Sequence, residues 1–220
     1  MEDYRNNQED QNNQVMLTGK MLTDFRYVYK DVHENAFYRA ELDVGRLSGI
    51  SDLVPVVVSE GQVNREQYHK GSTVRVKGQY HSRNRKEGGK SRLKLSVFAQ
   101  EIEAWDGAEE DYGKNNNVFL DGYICKEPVY RKTPLGRTIT DLLVAVNRQN
   151  GISDYIPCIC WGGTARDAAS LEVGAHVQMT GRIQSREYLK RTGESGIQKR
   201  TAYEVSVKKL DMHGESDIQR

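Results

Sequence analysis

Tyr155 and Trp161 stand six residues apart in the stretch 151–162, GISDYIPCICWG. Ile156, Cys158 and Cys160 alternate with them, so a strand over this stretch buries the aliphatic and thiol side and turns both rings to the other face. Outward rings suit one chemistry that needs no catalysis. Every nucleobase has a π face, and stacking on an aromatic side chain contributes about 1–3 kcal/mol per base without sequence preference. Tyr188 is a third such ring, close behind Arg182 and Arg186, while Arg148 precedes the strand. Guanidinium groups can meet phosphates or stack on bases. Interleaved basic and aromatic residues are what a single-stranded nucleic acid requires, charge tracking its backbone while rings hold its bases. Tyr130 and Arg131 add a ring and a cation in an earlier segment that reads as a loop. The same residues have a plainer reading, with the rings as core or interface packing and the strand arginines as solvated charge.

Reactive chemistry is not legible. The five histidines are scattered without ligand spacing, and no glycine-rich phosphate loop or Ser/Cys/His nucleophile arrangement is present. Neither catalytic residues, a cofactor nor a metal is expected. Three cysteines, odd in number and without a metal-binding CxxC, read as reduced thiols in a reducing compartment, and no apolar run is long enough to span a bilayer. A cytoplasmic protein without membrane contact is expected. Lysine plus arginine (32) nearly cancel aspartate plus glutamate (31), so any basic surface must be local.

The elements that carry these residues occur twice. GISDYIPCICWG is preceded at 49–60 by GISDLVPVVVSE, an offset of about 102 residues in a chain of 220, which points to two copies of one domain. Alternating apolar residues mark strands at Val15 to Met21 and Val118 to Ile124, each with a glycine at the same place. Further strands follow at 37–44 and 139–146, and the repeated GISD turn leads into a third. Helix-compatible segments at 64–70 and 164–172, the latter capped by Thr164, precede fourth strands at 73–80 and 175–183. Basic hairpin loops at 83–92 and 186–200 lead to fifth strands at 93–98 and 202–207. Three strands, a short helix and two more strands describe an all-β chain of two tandem five-stranded OB-fold barrels, with a short helix between strands 3 and 4 of each. The expected boundaries are a flexible leader at 1–14, a first barrel at 15–105, a linker at 106–117, a second barrel at 118–211 and a frayed tail at 212–220.

In the second copy the strings VFLDGYICKEPVYRKTPLG, LLVAVNR, SDYIPCICWGGTA, GAHVQMTGRIQSREY and YEVSV resemble, in order and spacing, the bacterial single-stranded DNA-binding protein family. The resemblance implies that the rings at Tyr155, Trp161 and Tyr188 stack on bases, while a further family aromatic is replaced by Asn150. The first copy resembles the family more faintly, with Leu53, Ser59 and Arg85 at the three ring positions, so its stacking platform is expected to be absent and its apolar strand covered by another barrel or subunit. The resemblance further implies single-stranded DNA as partner, in replication, recombination or repair, and a homodimer holding four barrels. The chain ends HGESDIQR, without the acidic tip closing on proline and phenylalanine through which the family recruits enzymes, so recruitment by that route is not expected. Two alternatives stay open: a protein-interaction module bridging replication or primosome proteins, and a different binding surface on the first copy made of Tyr27, Tyr29, Tyr80 and the basic residues Arg83, Arg85, Lys86, Lys90 and Arg92.

Overall fold

The computed structural model describes residues 11–87, 89–107, 114–192 and 196–213. The first copy comprises β1 (Asn13–Met21), β2 (Arg26–Lys30), β3 (Ala36–Gly45), β4 (Ser51–Ser59), β5 (Thr73–Glu87) and β6 (Lys90–Ala104). The second comprises β7 (Asn116–Ile124), β8 (Val129–Lys132), β9 (Thr138–Asn147), β10 (Ser153–Trp161), helix α1 (Gly162–Ala168), β11 (His176–Thr192) and β12 (Gly196–His213). Pairings in the first copy run β1–β3–β4–β6–β5 and return to β1, with only β4–β6 parallel. The second repeats this circuit as β7–β9–β10–β12–β11. This is the tandem OB architecture expected from the sequence.

Alternation explains the barrels. Leu17, Leu42, Val54, Val76 and Val97 fill the first interior and Leu120, Val144, Ile156, Met179 and Val205 the second, none more than 2% exposed. Fully burying such a side chain contributes about 1.5–3 kcal/mol. The matched glycines of β1 and β7 mark where each strand crosses its barrel's second wall: a Cβ on Gly19 would lie 2.6 Å from the Asp43 carbonyl oxygen, and one on Gly122 2.4 Å from that of Ala145. No other residue fits there. The repeated turn is also real. Gly49 and Gly151 take φ of +76° and +75°, and Arg46 and Arg148 close the two turns by donating to Ile50 and Ile152.

Several expectations are corrected. The segments read as loops after β1 and β7 contain short strands, β2 and β8, paired to β3 and β9 as edges. The helix of the second copy starts at Gly162 rather than Thr164, and its N-cap, Trp161, makes no side-chain cap bond. Burial places it instead, because Ala165 and Ala168 are wholly buried and the Thr140 hydroxyl donates to the Ala165 carbonyl at 2.5 Å. In the first copy the described helix is a 3-10 turn at Glu60–Gln62, closed where Gln62 Oε1 accepts the Ser59 N–H, and the segment 64–70 forms a single turn in which the Tyr68 N–H donates to the Asn64 carbonyl at 2.7 Å. The basic hairpin loops are paired strand out to Glu87↔Lys90 and Thr192↔Gly196. Most of their residues are polar, and the apolar Tyr188 and Leu189 are neighbours and both exposed, which erases the alternation that sequence reading relies on. The leader's end enters β1 at Asn13, the linker's end enters β7 at Asn116, and β12 reaches His213. The rest of the leader up to residue 10, linker residues 108–113 and the tail from 214 lie outside the described residues.

Candidate nucleic-acid interface

The two barrels are joined by β1 and β7, which pair antiparallel about Val15↔Val118 and merge both sheets into one of 12 strands. A local two-fold relation runs through this seam. Asn13 donates to the Tyr80 carbonyl and accepts the Tyr80 N–H, and Asn116 does the same with Ile183. Beyond those contacts β5 and β11 leave their own barrels as long ribbons, each reaching the other copy. Ser82 on the first ribbon donates its N–H to Asp154 at 2.5 Å, and its hydroxyl accepts the N–H of Tyr155 at 2.8 Å. Ser185 on the second ribbon donates to Asp52 at 2.7 Å and accepts the N–H of Leu53 at 2.9 Å.

Asp52 and Asp154 are wholly buried, and a buried carboxylate must be paired with charge. Arg46 forks onto Asp52, which Arg182 also reaches at 3.0 Å, and Arg148 forks onto Asp154. Sequence reasoning gave Arg148 and Arg182 to phosphate; the structure commits both guanidiniums to these carboxylates. Burial first, then the Arg46 charge, lowers the Arg182 pKa. His81, adjoining Ser82, is held down at about 4 by burial and by Arg148.

The remaining predicted residues are placed as follows. On β10, Tyr155 is 43% exposed, while Ile156, Cys158 and Cys160 are buried, as the alternation requires. Burial drives the Cys158 thiol well above its ordinary pKa and Cys160 up to about 12, so both act as small apolar side chains. Trp161 closes the strand half-buried, about 20 Å from Tyr155 by strand rise, so the two rings cannot share one base. Trp161 pairs with Ile139, and Ile139 with Arg131, which puts Arg131 in the Trp161 row. Arg131 is held there by a fork onto Asp141, at 2.5 and 3.1 Å, which raises its pKa. Tyr130, exposed, alternates to the opposite side of β8.

Arg186 and Tyr188, both exposed, ride the second ribbon beyond Ser185. They are carried past the first barrel's Leu53 rather than toward Tyr155, whose backbone is met by the first barrel's ribbon. The three rings therefore do not form one cluster on the second barrel. Tyr155 and Trp161 stand on β10, and Tyr188 on the ribbon that meets the first barrel at Leu53.

Sequence reading missed Tyr123, 43% exposed, which pairs with Ala145, the residue that also pairs with Tyr155. Its ring stacks on His176 at 5.0 Å, and His176 lies 4.9 Å from His213, a row of rings across β7, β11 and β12. The alternation of Val118, Leu120, Gly122 and Ile124 was the available signal, since it turns Tyr123 outward. On the first barrel, Arg83 lies 4.0 Å over Tyr29, Tyr29 stacks on Phe37 at 4.9 Å, and Phe98 joins Phe37 to His81 at 5.4 and 5.2 Å. These rings spend their faces on one another. Tyr80 is 0% exposed and takes no part in any surface, which corrects its inclusion in a first-copy binding face; Tyr27 is 58% exposed.

Among the described residues no cluster of three or more metal-ligating side chains occurs, and no helix is long and apolar enough to cross a membrane. The fold is that of the wild-type single-stranded DNA-binding protein from Thermus aquaticus, with a TM-score of 0.71 at 21% identity over 92% of this chain and 93% of that one. In sequence the chain is similar to Single-stranded DNA-binding protein 1 of Lactococcus lactis, 37% identical over 86 residues, covering 36% of this chain and 57% of the relative. The chain is also 39% identical over 80 residues to Single-stranded DNA-binding protein 2 of Listeria innocua, covering 33% of this chain and 50% of that protein. The chain thus spans about half the length of the curated relatives it matches. The family model described as the single-strand binding protein family matches residues 115–213, the whole second barrel from the seam asparagines to the end of β12.

Proposed function

We propose that this protein binds single-stranded DNA without catalysing its conversion, coating it in replication, recombination or repair. Bases stack on Tyr155, Tyr188 and the accessible part of Trp161, and Arg186 and the outer ribbon cations meet phosphates. The observation that carries this reading is the exposure of tyrosines on strand and ribbon surfaces that the barrel interiors do not need. The match of the single-strand binding family model to the second barrel and the names of the relatives, which are single-stranded DNA-binding proteins, support it. Arg148 and Arg182 serve the reading indirectly, by fixing the ribbons that carry Tyr188 and seat Tyr155.

Fluorescence anisotropy of labelled oligo(dT), compared with duplex DNA, tests the proposal. Tight binding to the single strand, weakened about 5- to 150-fold in Tyr155→Ala, is expected. Equal affinity for duplex, or no loss in the variant, would turn the tyrosines back into packing residues and favour a protein-bridging module.

A further inference from the structure

Between the barrels, on the Tyr155 side of the seam, lies a cavity of about 230 Å³ lined by Asn12, Asn13, Gln79, Asn147, Arg148, Gln149 and Asn150. Six of these seven side chains are uncharged amides, drawn from both copies. Several have their oxygens engaged: Asn13 is used up on Tyr80, Gln79 Oε1 meets His81 at 3.1 Å, Asn147 Oδ1 accepts the Ser153 hydroxyl at 2.8 Å, and Asn150 Oδ1 accepts the Ile152 N–H at 3.2 Å. The amide nitrogens of Gln79, Asn147 and Asn150 have no acceptor among the described residues. Through these three amides the cavity presents donors, with Asn12, whose nitrogen is spent on the Asn147 carbonyl, leaving an acceptor at its edge.

The two-fold relation of the seam shows that these amides are not needed to build it. Asn12 donates to the Asn147 carbonyl at 2.8 Å, and on the other side Asn115 donates to the Gly45 carbonyl at 2.7 Å. There the counterparts of Asn147, Gln149 and Asn150 are Gly45, Leu47 and Ser48, and that of Gln79 is Arg182, which is spent on Asp52. The same joint is made without a single one of the donor amides. Asn147 also shares its face of the sheet with Ser153 and Tyr155, since Asn147 pairs with Ser153 and bonds to it, and Tyr155 follows two residues on, about 7 Å along the strand. A base next to one stacked on Tyr155 comes within reach of the cavity.

We infer that this cavity is a nucleobase pocket, built jointly by the two copies, that takes an oxo-bearing base such as thymine by its 2- and 4-carbonyl oxygens. Side-chain amides recognise base edges by such hydrogen bonds. Adenine, whose exocyclic group is a donor, fits the donor-lined wall less well. The site gives the strand a base preference that stacking alone does not supply, and it gives the first barrel a part in binding through Gln79.

This inference rests on the reading of the protein as a binder of single strands, and the test separates the two. Affinities for oligo(dT), oligo(dU) and oligo(dA) of equal length are measured for the wild-type protein and for a variant carrying Gln79→Leu and Asn150→Asp. The aspartate keeps the acceptor that the Ile152 N–H requires while removing the donors. Its charge lowers all affinities alike, so the ratios are the readout. The dT/dA and dU/dA ratios are expected to fall about fivefold or more in the variant, and Tyr155→Ala to lower all three affinities with the ratios kept. Unchanged ratios in the double variant would overturn the base pocket. A uniform loss with a shallower salt dependence would overturn it also, by assigning the cavity to a phosphate. Failure of every oligonucleotide to bind would instead overturn the function on which it rests.

Discussion

At the scale of single residues the molecule separates rings that build it from rings that its interiors leave exposed. Tyr80 is the extreme of the first kind. Its side chain is wholly buried, its hydroxyl has no hydrogen-bond partner among the described residues, and burial drives its pKa far up. An unpartnered buried hydroxyl costs about 1–3 kcal/mol, so Tyr80→Phe is expected to be neutral or stabilising by about 1 kcal/mol; a fall in the thermal midpoint would show that the hydroxyl has a partner after all. Tyr155 and Tyr188 are exposed instead; Tyr155 was readable from the alternation of its strand, Tyr188 only from its basic neighbours and the family resemblance. The roles of Arg148 and Arg182 were not. Nothing in a linear chain shows that Asp52 and Asp154 become buried beside them, so charges that looked available for phosphate are consumed by carboxylates some six residues away or on the other copy.

At the scale of elements, β5 and β11 do more than close their barrels. Each runs past the seam and is fastened to the other copy by a serine on a buried aspartate, which sets the position of the ligand-facing residues. The barrel circuits, the repeated turn and the matched glycines followed from periodicity and from the repeat. The short edges β2 and β8 did not, because their residues are exposed on both sides and leave no period, and neither did the ribbon pairing, for the same reason. The ribbon of the first copy also carries a pH dependence. His81 is held near pKa 4 in the folded protein by burial and by Arg148, against about 6.5 for a free histidine. The unfolded chain therefore takes up a proton that the folded one refuses, and stability present above pH 6.5 is lost as pH falls toward 4. The loss from this group is on the order of 3 kcal/mol at most. Thermal midpoints followed from pH 7 to 4 are expected to fall less steeply in His81→Gln than in the wild-type protein, and parallel curves would remove His81 from the account.

At the scale of the whole molecule, the two copies differ in what they expose. The first stacks Tyr29, Phe37, Phe98 and His81 against one another and leaves Tyr27 exposed, while the second stacks Tyr123 on His176 and leaves Tyr155 and Tyr188 exposed. A second copy of the chain would bring four barrels together, which sedimentation equilibrium tests directly: a mass twice the 25.1 kDa of the chain is expected at micromolar concentration, and a monomer would contradict it. The tandem plan was readable from the offset of two similar strings. The exchange of ribbons was not, since it depends on pairing β1 with β7, two edges that have the same apolar pattern as any other strand. The most direct test of the central claim uses the two tryptophans. Trp105 lies under Arg75, 3.2 Å from the ring centre, away from the rings assigned to DNA, and Trp105→Phe leaves Trp161 as the sole reporter. Oligo(dT) titrated into that variant at several salt concentrations is predicted to quench Trp161, with affinity falling by about 0.7 logarithmic units per phosphate contacted for each tenfold rise in salt. Unquenched Trp161 fluorescence with no binding at low salt would contradict the account.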